Sequence, residues 1–303
     1  MEMNYIEYIN KNAEERLNYF IKTLSITNRT PDYYVNWDKV TRETRKYELE
    51  LNTLNYLIGK NDIYSETLNL FTKQPNLIKA LPSLIASRDK KLDVLNIDKE
   101  DNMSFYELDF INVDINNIKL YVDFAEESGL LDFLKDDANR SLVDYVYGVE
   151  AGLDSNARKN RSGSTMEKIL NRNIVKVSKS LKLEHQSQAT AEFIEKEWGI
   201  KIQVDKSARR FDEAVYCRNT NRLWLIETNY YGGGGSKLKA TAGEFITLND
   251  LVSEPDNNIS FVWITDGQGW NTARLPLLEA FAYIKNVFNL KMLKDGYFYE
   301  LFN

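Results

Sequence analysis

The 303-residue chain has one cysteine, Cys217, and one histidine, His185. A lone cysteine excludes a disulfide framework and any cysteine-rich zinc module, and a lone histidine excludes a multi-histidine metal centre within one chain. No apolar run approaches the roughly 18–20 residues that a transmembrane helix requires. The start, Met1-Glu2-Met3-Asn4-Tyr5, lacks the basic and apolar regions of a secretory signal. A cytoplasmic protein with no membrane segment is the expectation. No repeat, low-complexity tract or Pro/Gly linker divides the chain. Basic residues are in deficit, 39 against 45 acids, for a net charge of −6 and a pI near 5.2. Taken as an average, that balance argues against a nucleic-acid partner. What remains is ordinary for a globular protein: 43% apolar and 28% charged residues, in a chain long enough for one large domain or two modest ones.

The charge is unevenly spread. Residues 1–150 carry 18 bases against 27 acids, a net of −9, whereas residues 151–303 carry 21 against 18, a net of +3. Between 155 and 183 lie Arg158, Lys159, Arg161, Lys168, Arg172, Lys176, Lys179 and Lys182 with a single acid, Glu167. A solvated basic face explains such a run; a lone acid within a basic field is the unusual part. Charge and pattern together suggest a mostly helical region over 1–150 and a second region over 151–303.

In the first region, Tyr47, Leu51, Leu54 and Ile58 recur at helical spacing ahead of Gly59, and 119–124 (KLYVDF) reads as a strand. In the second, helices are expected from Thr165 towards Lys182, at about 190–198 and over 237–252, with a further one carrying Leu277, Phe281, Ile284 and Phe288 on one face. Strands are expected at 200–204, 211–217, 222–229 and 259–265, with Asn219-Thr220-Asn221 forming a hairpin turn between the second and third. The order predicts an α+β fold: a mixed sheet flanked by helices, with a mostly helical N-terminal part.

The hairpin carries the chemistry. A turn centred near Thr220 places Asp212 opposite Glu227 or Thr228, depending on register. Two carboxylates at the end of an apolar hairpin repel unless a cation joins them. All-oxygen ligation favours a hard ion such as Mg²⁺, which uses one or two carboxylates plus water and phosphate oxygens. Two acids fraying out at a sheet edge is the competing explanation. Glu167 fits a capping box as Ser164-x-x-Glu167, or else turns towards the pair as a third acid. The segment Asn229-Tyr230-Tyr231-Gly232-Gly233-Gly234-Gly235-Ser236-Lys237 enters a helix and suits a DNA backbone or base edge, although it is no Walker A loop. The segment 152–163, GLDSNARKNRSG, has the chemistry of a recognition loop: Arg158, Lys159 and Arg161 suit guanine, and Asn156 and Asn160 suit adenine. A generic basic loop that meets phosphates needs no more than this. Cys217 reads as a core residue, and His185 lies in a polar connection.

Asp212, fourteen residues, then Glu227-Thr228-Asn229 resembles the PD-(D/E)xK nuclease motif with Asn in the lysine position. More specifically, GLDSNARKNRSGSTMEKI (152–169), RRFDEAVY (209–216), LIETNYYGGGGSKL (225–238) and WITDGQGW (263–270) resemble the MboI/DpnII family of type II restriction endonucleases. The resemblance implies a homodimer that recognises double-stranded GATC and cuts both strands with Mg²⁺. Carried over, Asp212 and Glu227 would hold the metal together with the Thr228 carbonyl, and Glu167 would match the helix glutamate that often precedes the motif. Asn229 departs from lysine, so the missing positive charge would fall to the metal or to a lysine from elsewhere, such as Lys237. Asn156 or Asn160 accepting from adenine N6 would make adenine methylation protective. A PD-(D/E)xK nuclease of other specificity, such as a nicking or repair enzyme, and a non-catalytic DNA-binding protein are the alternatives.

Overall fold

The computed structural model describes residues 3–97, 101–139, 141–206, 208–253 and 258–303, with the side chains of Lys159 and Asn160 also outside the description. In chain order the elements begin with helices α1 (Tyr5–Ile9) and α2 (Ala13–Lys22). A helical stretch follows, with α3 (Trp37–Arg45), α4 (Glu48–Leu54), α5 (Ile63–Lys73) and α6 (Leu81–Leu84), then a hairpin of β1 (Lys91–Ile97) and β2 (Met103–Asp109). Next come α7 (Ile118–Glu127), α8 (Leu130–Asp132), α9 (Leu142–Ser155) and the long α10 (Arg158–Leu181). The remainder alternates: β3 (Glu184–Thr190), α11 (Ala191–Trp198), β4 (Arg210–Cys217), β5 (Arg222–Tyr230), α12 (Ser236–Val252), β6 (Ile259–Asp266), α13 (Arg274–Tyr283), β7 (Asn286–Phe288), α14 (Leu290–Lys294) and α15 (Tyr297–Leu301). No described helix is long and apolar enough to cross a membrane.

Chain contacts divide the molecule into two compact units, one of residues 31–158 and one joining the N-terminal thirty residues to 159–303. Each has its own apolar core. Charge and pattern suggest a division near residue 150. The contacts instead give the first two helices to the sheet-bearing unit, because Tyr8, Leu17 and Phe20 are buried in its core.

That unit is built on a five-stranded mixed sheet in the order β3-β4-β5-β6-β7, an α+β fold. β3, β4 and β5 are antiparallel neighbours, while β5, β6 and β7 run parallel, with α12 and α13 as the crossovers. β4 and β5 are nearly continuously apolar: Ala214, Val215, Leu223, Trp224, Leu225 and Ile226 are all buried. The turn between them closes through Arg218–Asn221, and Asn221 takes the left-handed φ of 51° that short loops use. α10 forms because Met166, Leu170, Ile174 and Val177 make one buried stripe at helical spacing. It ends at Lys182, with φ 56°, as Leu183 N–H donates to the Ser178 carbonyl.

Several expectations differ from the structure. The helix expected to carry Leu277, Phe281, Ile284 and Phe288 is α13, which stops at Tyr283 as Ile284 turns extended, so Phe288 falls in β7. The run from Tyr47 to Ile58 is divided between α4 and a 3₁₀ turn over Asn55–Leu57. The segment 119–124 lies in α7, where Ile118, Tyr121, Val122 and Ala125 bury one helical stripe, so its apparent alternation belongs to a period of 3.6. No strand covers 200–204; Gly199 (φ 70°) closes α11 there, and the sheet takes β3 instead, a polar edge strand without the usual apolar signal. The segment 152–163 is no loop, since α9 runs to Ser155 and α10 starts at Arg158. The long helix therefore begins well before Thr165, with its buried stripe outweighing the unfavourable Gly163 within it.

Asp266 ties this unit together. Its fully buried carboxylate accepts backbone N–H bonds from Ser25 (2.8 Å), Gly267 (2.6 Å) and Leu290 (3.0 Å), so one side chain joins the N-terminal segment, the end of β6 and the start of α14. Nearby, the Arg16 guanidinium donates to the Phe281 and Lys285 carbonyls at the end of α13. Asp266→Asn replaces one acceptor oxygen by a donor and strands at least one buried N–H. A loss of roughly 2–3 kcal/mol is expected in a urea titration, and an unchanged midpoint would show that these bonds carry little of the stability.

Candidate active site

The β4–β5 register pairs Glu213 with Ile226. Continued one residue towards the open end, it sets Asp212 opposite Glu227, so both carboxylates lie on one face of the sheet. Glu227 is 8% exposed. The Thr228 N–H donates to Asp212 Oδ2 at 2.8 Å, and Gln188 Nε2 donates to Oδ1 at 3.3 Å. Gln188 stands across from Asp212 on β3 with a left-handed φ of 51°, a local irregularity in the edge strand. Arg209, just ahead of β4, approaches Glu227 Oε1 at 3.5 Å, while Asp205 and Glu244 hold the same guanidinium at 2.8 and 2.9 Å.

Both acids resist ionisation. Burial pushes Asp212 up to about 6, against the Thr228 hydrogen bond and with help from the negative charge of Glu167. Burial and then the neighbouring Asp212 push Glu227 up to about 8, with Arg209 pulling the other way. Asp205 foremost, with Glu244 and Glu227, raises the Arg209 guanidinium further above its usual range. Two adjacent carboxyls that are costly to charge, and whose oxygens are only partly occupied, form a donor set for a hard cation. Among the described residues no group of three or more His, Cys, Asp or Glu side chains is close enough to hold a metal. The set is therefore two carboxylates, which fits an ion completed by water and phosphate oxygens.

A cavity of about 270 Å³ opens beside Asp212, lined among others by Glu167, Lys168, Arg172, Gln188 and Glu213. Glu167 lies inside α10, several turns from its start, so Ser164 and Glu167 form no capping box. The helix instead carries Glu167 to the cavity that Asp212 lines, together with Lys168 and Arg172. Glu213, which also lines this cavity, is buried and accepts from Asn171 Nδ2 (2.7 Å) and Ser187 Oγ (2.6 Å), with His185 Nδ1 at 3.9 Å. His185 thus belongs to a buried polar cluster on the edge strand. Cys217, at the end of β4, packs against the core with partial exposure.

Asn229 shares a face with Glu227, two residues along β5, and its Oδ1 accepts from Thr265 Oγ1 at 2.5 Å. Tyr231 is a packing residue: its hydroxyl meets Thr241 Oγ1 at 2.6 Å and its ring lies edge-to-face on Trp270. Tyr230 is half-buried, and burial raises its phenol. The glycine run is packed rather than loose, because a Cβ on Gly269 would overlap the Gly233 carbonyl and one on Gly234 would overlap Thr272. Ser236 and Lys237 open α12 on the surface. Asn156 caps the end of α9, and Arg158 donates to the Tyr34 carbonyl at 3.2 Å within the helical unit. Arg161 lies half-buried in the first turns of α10. Arg209, Gln188, Lys168 and Arg172 were not singled out individually from sequence. For Arg209 the available signal was its place three residues ahead of Asp212.

A mixed sheet whose antiparallel hairpin ends in paired acids, beside a helix that carries a third acid among bases, defines a nuclease core of the α+β class. The chain belongs to the DpnII restriction endonuclease family, whose family model matches residues 16–300. It is 64% identical over 300 residues to the type II restriction enzyme LlaDCHI of Lactococcus lactis subsp. cremoris, covering 99% of each chain. It is 45% identical to MjaIII of Methanocaldococcus jannaschii, over 93% of this chain and 98% of the relative, and 35% identical to MboI of Moraxella bovis, over 90% and 92%. The protein is a type II restriction enzyme, a site-specific endonuclease acting on DNA.

The raised carboxyls make stability depend on pH. Folded values of about 6 and 8 exceed the ordinary value near 4, so the folded protein holds protons that the unfolded chain releases. The contribution of this pair to stability is then greatest below the unfolded pKa and falls as pH rises across roughly 4 to 8. Glu227→Gln should raise the Tm of metal-free protein at pH 8 by at least roughly 2–4 °C, with the gain shrinking towards pH 4.5. Scanning calorimetry at the two pH values checks this, and an equal difference at both would show that the pair is not strained by its charge.

Proposed function

We propose that the enzyme recognises GATC in double-stranded DNA and hydrolyses both strands with Mg²⁺, leaving 5′-phosphate and 3′-hydroxyl ends. The observation that carries the cation requirement is the Asp212/Glu227 pair, two adjacent acids, one half-buried and one buried, that repel until a cation joins them. Family membership and the resemblance of 152–169 and 225–238 to MboI/DpnII enzymes support the GATC reading. We assign the metal to Asp212, Glu227 and the Thr228 carbonyl. When bound, Mg²⁺ supplies Lewis-acid polarisation of the scissile phosphate and a lower pKa for the attacking water.

The chain's own groups do the rest. Thr228 N–H and Gln188 orient Asp212, and Arg209 orients Glu227, so both acids face one point without side-chain search. Glu167 adds negative charge beside Asp212, and Lys168 and Arg172 receive the DNA backbone at the same cavity. The Asn229 amide donates to the attacking water. The water oxygen bonds to phosphorus and gives up one proton to bulk solvent as the bond to the 3′ oxygen breaks, and the 3′ oxygen takes a proton from solvent as it leaves. Asn156, Arg158, Lys159, Asn160 and Arg161 remain our candidates for DNA contact near the start of α10, with Tyr230, Tyr231, Ser236 and Lys237 at the glycine run. A palindrome read twice requires a C2 homodimer with one such centre per strand. The helical region would scaffold that assembly, since its net acidity disfavours phosphates. A cytoplasmic location follows from the DNA substrate.

Plasmid cleavage with and without Mg²⁺, with the fragment ends sequenced, tests the whole reading. GATC-bearing plasmid should be cut only with the metal, and Asp212→Ala or Glu227→Ala should lose at least roughly 10³-fold in rate. Cutting by Asp212→Ala at near wild-type rate, or fragment ends outside GATC, would overturn it.

Adenine methylation supplies a separate check on base reading. A duplex carrying N6-methyladenine in GATC should resist cutting, because the methyl removes one donor and crowds the amide that reads adenine. Equal cutting of both duplexes would rule out that contact.

A further inference from the structure

Asn229 poses a problem that lysine does not. An ammonium only donates hydrogen bonds, whereas an amide can turn either its NH₂ or its oxygen towards a reacting water. With the oxygen outward, Asn229 would accept from water and lie badly beside phosphate oxygens. The structure contains a device that decides the orientation.

Asn229 on β5 is paired in register with Thr265 on the parallel strand β6. Thr265 and Trp270 are both fully buried. The Trp270 indole Nε1–H donates to Thr265 Oγ1 at 2.8 Å, and Thr265 Oγ1–H donates to Asn229 Oδ1 at 2.5 Å. An indole N–H has no acceptor capacity, so the Thr265 oxygen accepts from it. The same oxygen carries one hydrogen and gives it to Asn229 Oδ1. With its carbonyl oxygen so engaged, the Asn229 NH₂ group is the end left for the open side of the sheet.

The source of the chain is itself held. The Trp270 ring lies edge-to-face on Tyr231, with centroids 5.3 Å apart, and on Trp263 at 5.5 Å. The Gly269 N–H donates to the Tyr231 carbonyl at 2.8 Å, and Gly267 adopts φ 109° with no room for a side chain against that carbonyl. The two segments that meet here, 225–238 and 263–270, are thus joined by the same contacts that aim the indole.

We infer that Thr265 and Trp270 are positioning residues that lock the Asn229 amide with its NH₂ outward, making a neutral side chain serve as the donor that lysine supplies elsewhere. The inference rests on the nuclease reading of Asp212, Glu227 and Asn229. It adds that Thr265 acts on the rate of the chemical step through Asn229 and not on DNA affinity.

The test is steady-state and single-turnover cleavage of a GATC duplex in Mg²⁺ by Thr265→Val, Thr265→Ser and Trp270→Phe, with wild type as reference. Binding of the same duplex in Ca²⁺ and Tm are measured alongside. Thr265→Val keeps the shape and loses the hydroxyl, so its kcat should fall roughly 10- to 100-fold with KM and DNA affinity within about twofold of wild type. Thr265→Ser should restore kcat, and Trp270→Phe should show a smaller loss of the same kind. The inference is overturned if Thr265→Val cuts at the wild-type kcat, if its loss lies in KM or DNA binding, or if Thr265→Ser fails as Thr265→Val does. Should Thr265→Val not fold, the Trp270→Phe kcat decides by the same criterion. Absence of Mg²⁺-dependent cutting by wild type would instead refute the nuclease reading itself, and so the two failures are distinguishable.

Discussion

The pairing of β4 with β5 is the constraint on which the candidate site depends. Side chains alternate along a strand, so one residue of slippage would turn Asp212 and Glu227 onto opposite faces. The register is protected by the apolar part of the hairpin, where Val215 pairs with Trp224 and Ala214 with Leu225, all buried. A hairpin that must bury those residues has no choice about where its acids emerge. The repulsion between the acids is held in place by cohesion several residues away. The local bonds from Thr228, Gln188 and Arg209 then fix where the oxygens point.

Charge works at two scales in this molecule. The net charge of −6 describes neither the helix α10, with its run of bases, nor the carboxylates beside it. A nuclease needs both signs within a few ångströms, bases for phosphate and acids for a cation. The cavity lined by Glu167, Lys168, Arg172 and Asp212 supplies them together. An average over the chain cancels the arrangement, because DNA meets a surface.

Legibility followed the physics of each element. The β4–β5 hairpin could be read because apolar runs, a polar turn and two acids all recur at strand spacing. β6 could be read from its apolar run and α12 from its helical spacing, whereas the helix expected through Phe288 ends as α13 at Tyr283. β3 could not: an edge strand needs little apolar content, and its Gln188 and Ser187 serve the polar groups of β4. The segment 119–124 misled because six residues fit both periods, and the burial of Ile118 and Ala125 outside it decides for the helix. Glu167 fitted a capping box only while the start of its helix was misplaced.

By itself, the sequence determined the motif Asp212…Glu227-Thr228-Asn229, the hairpin that carries it and the family resemblance, since these depend on residue type and local spacing. Tertiary structure decided what depends on distant partners. It chose the hairpin register, brought Arg209 and Gln188 to the acids, and gave the first two helices to the sheet-bearing unit. It also linked Trp270 through Thr265 to Asn229, across parallel strands separated by a whole helix. Hydrogen bonds between such strands leave no periodic trace in a chain, so only the folded protein shows which end of an amide faces outward.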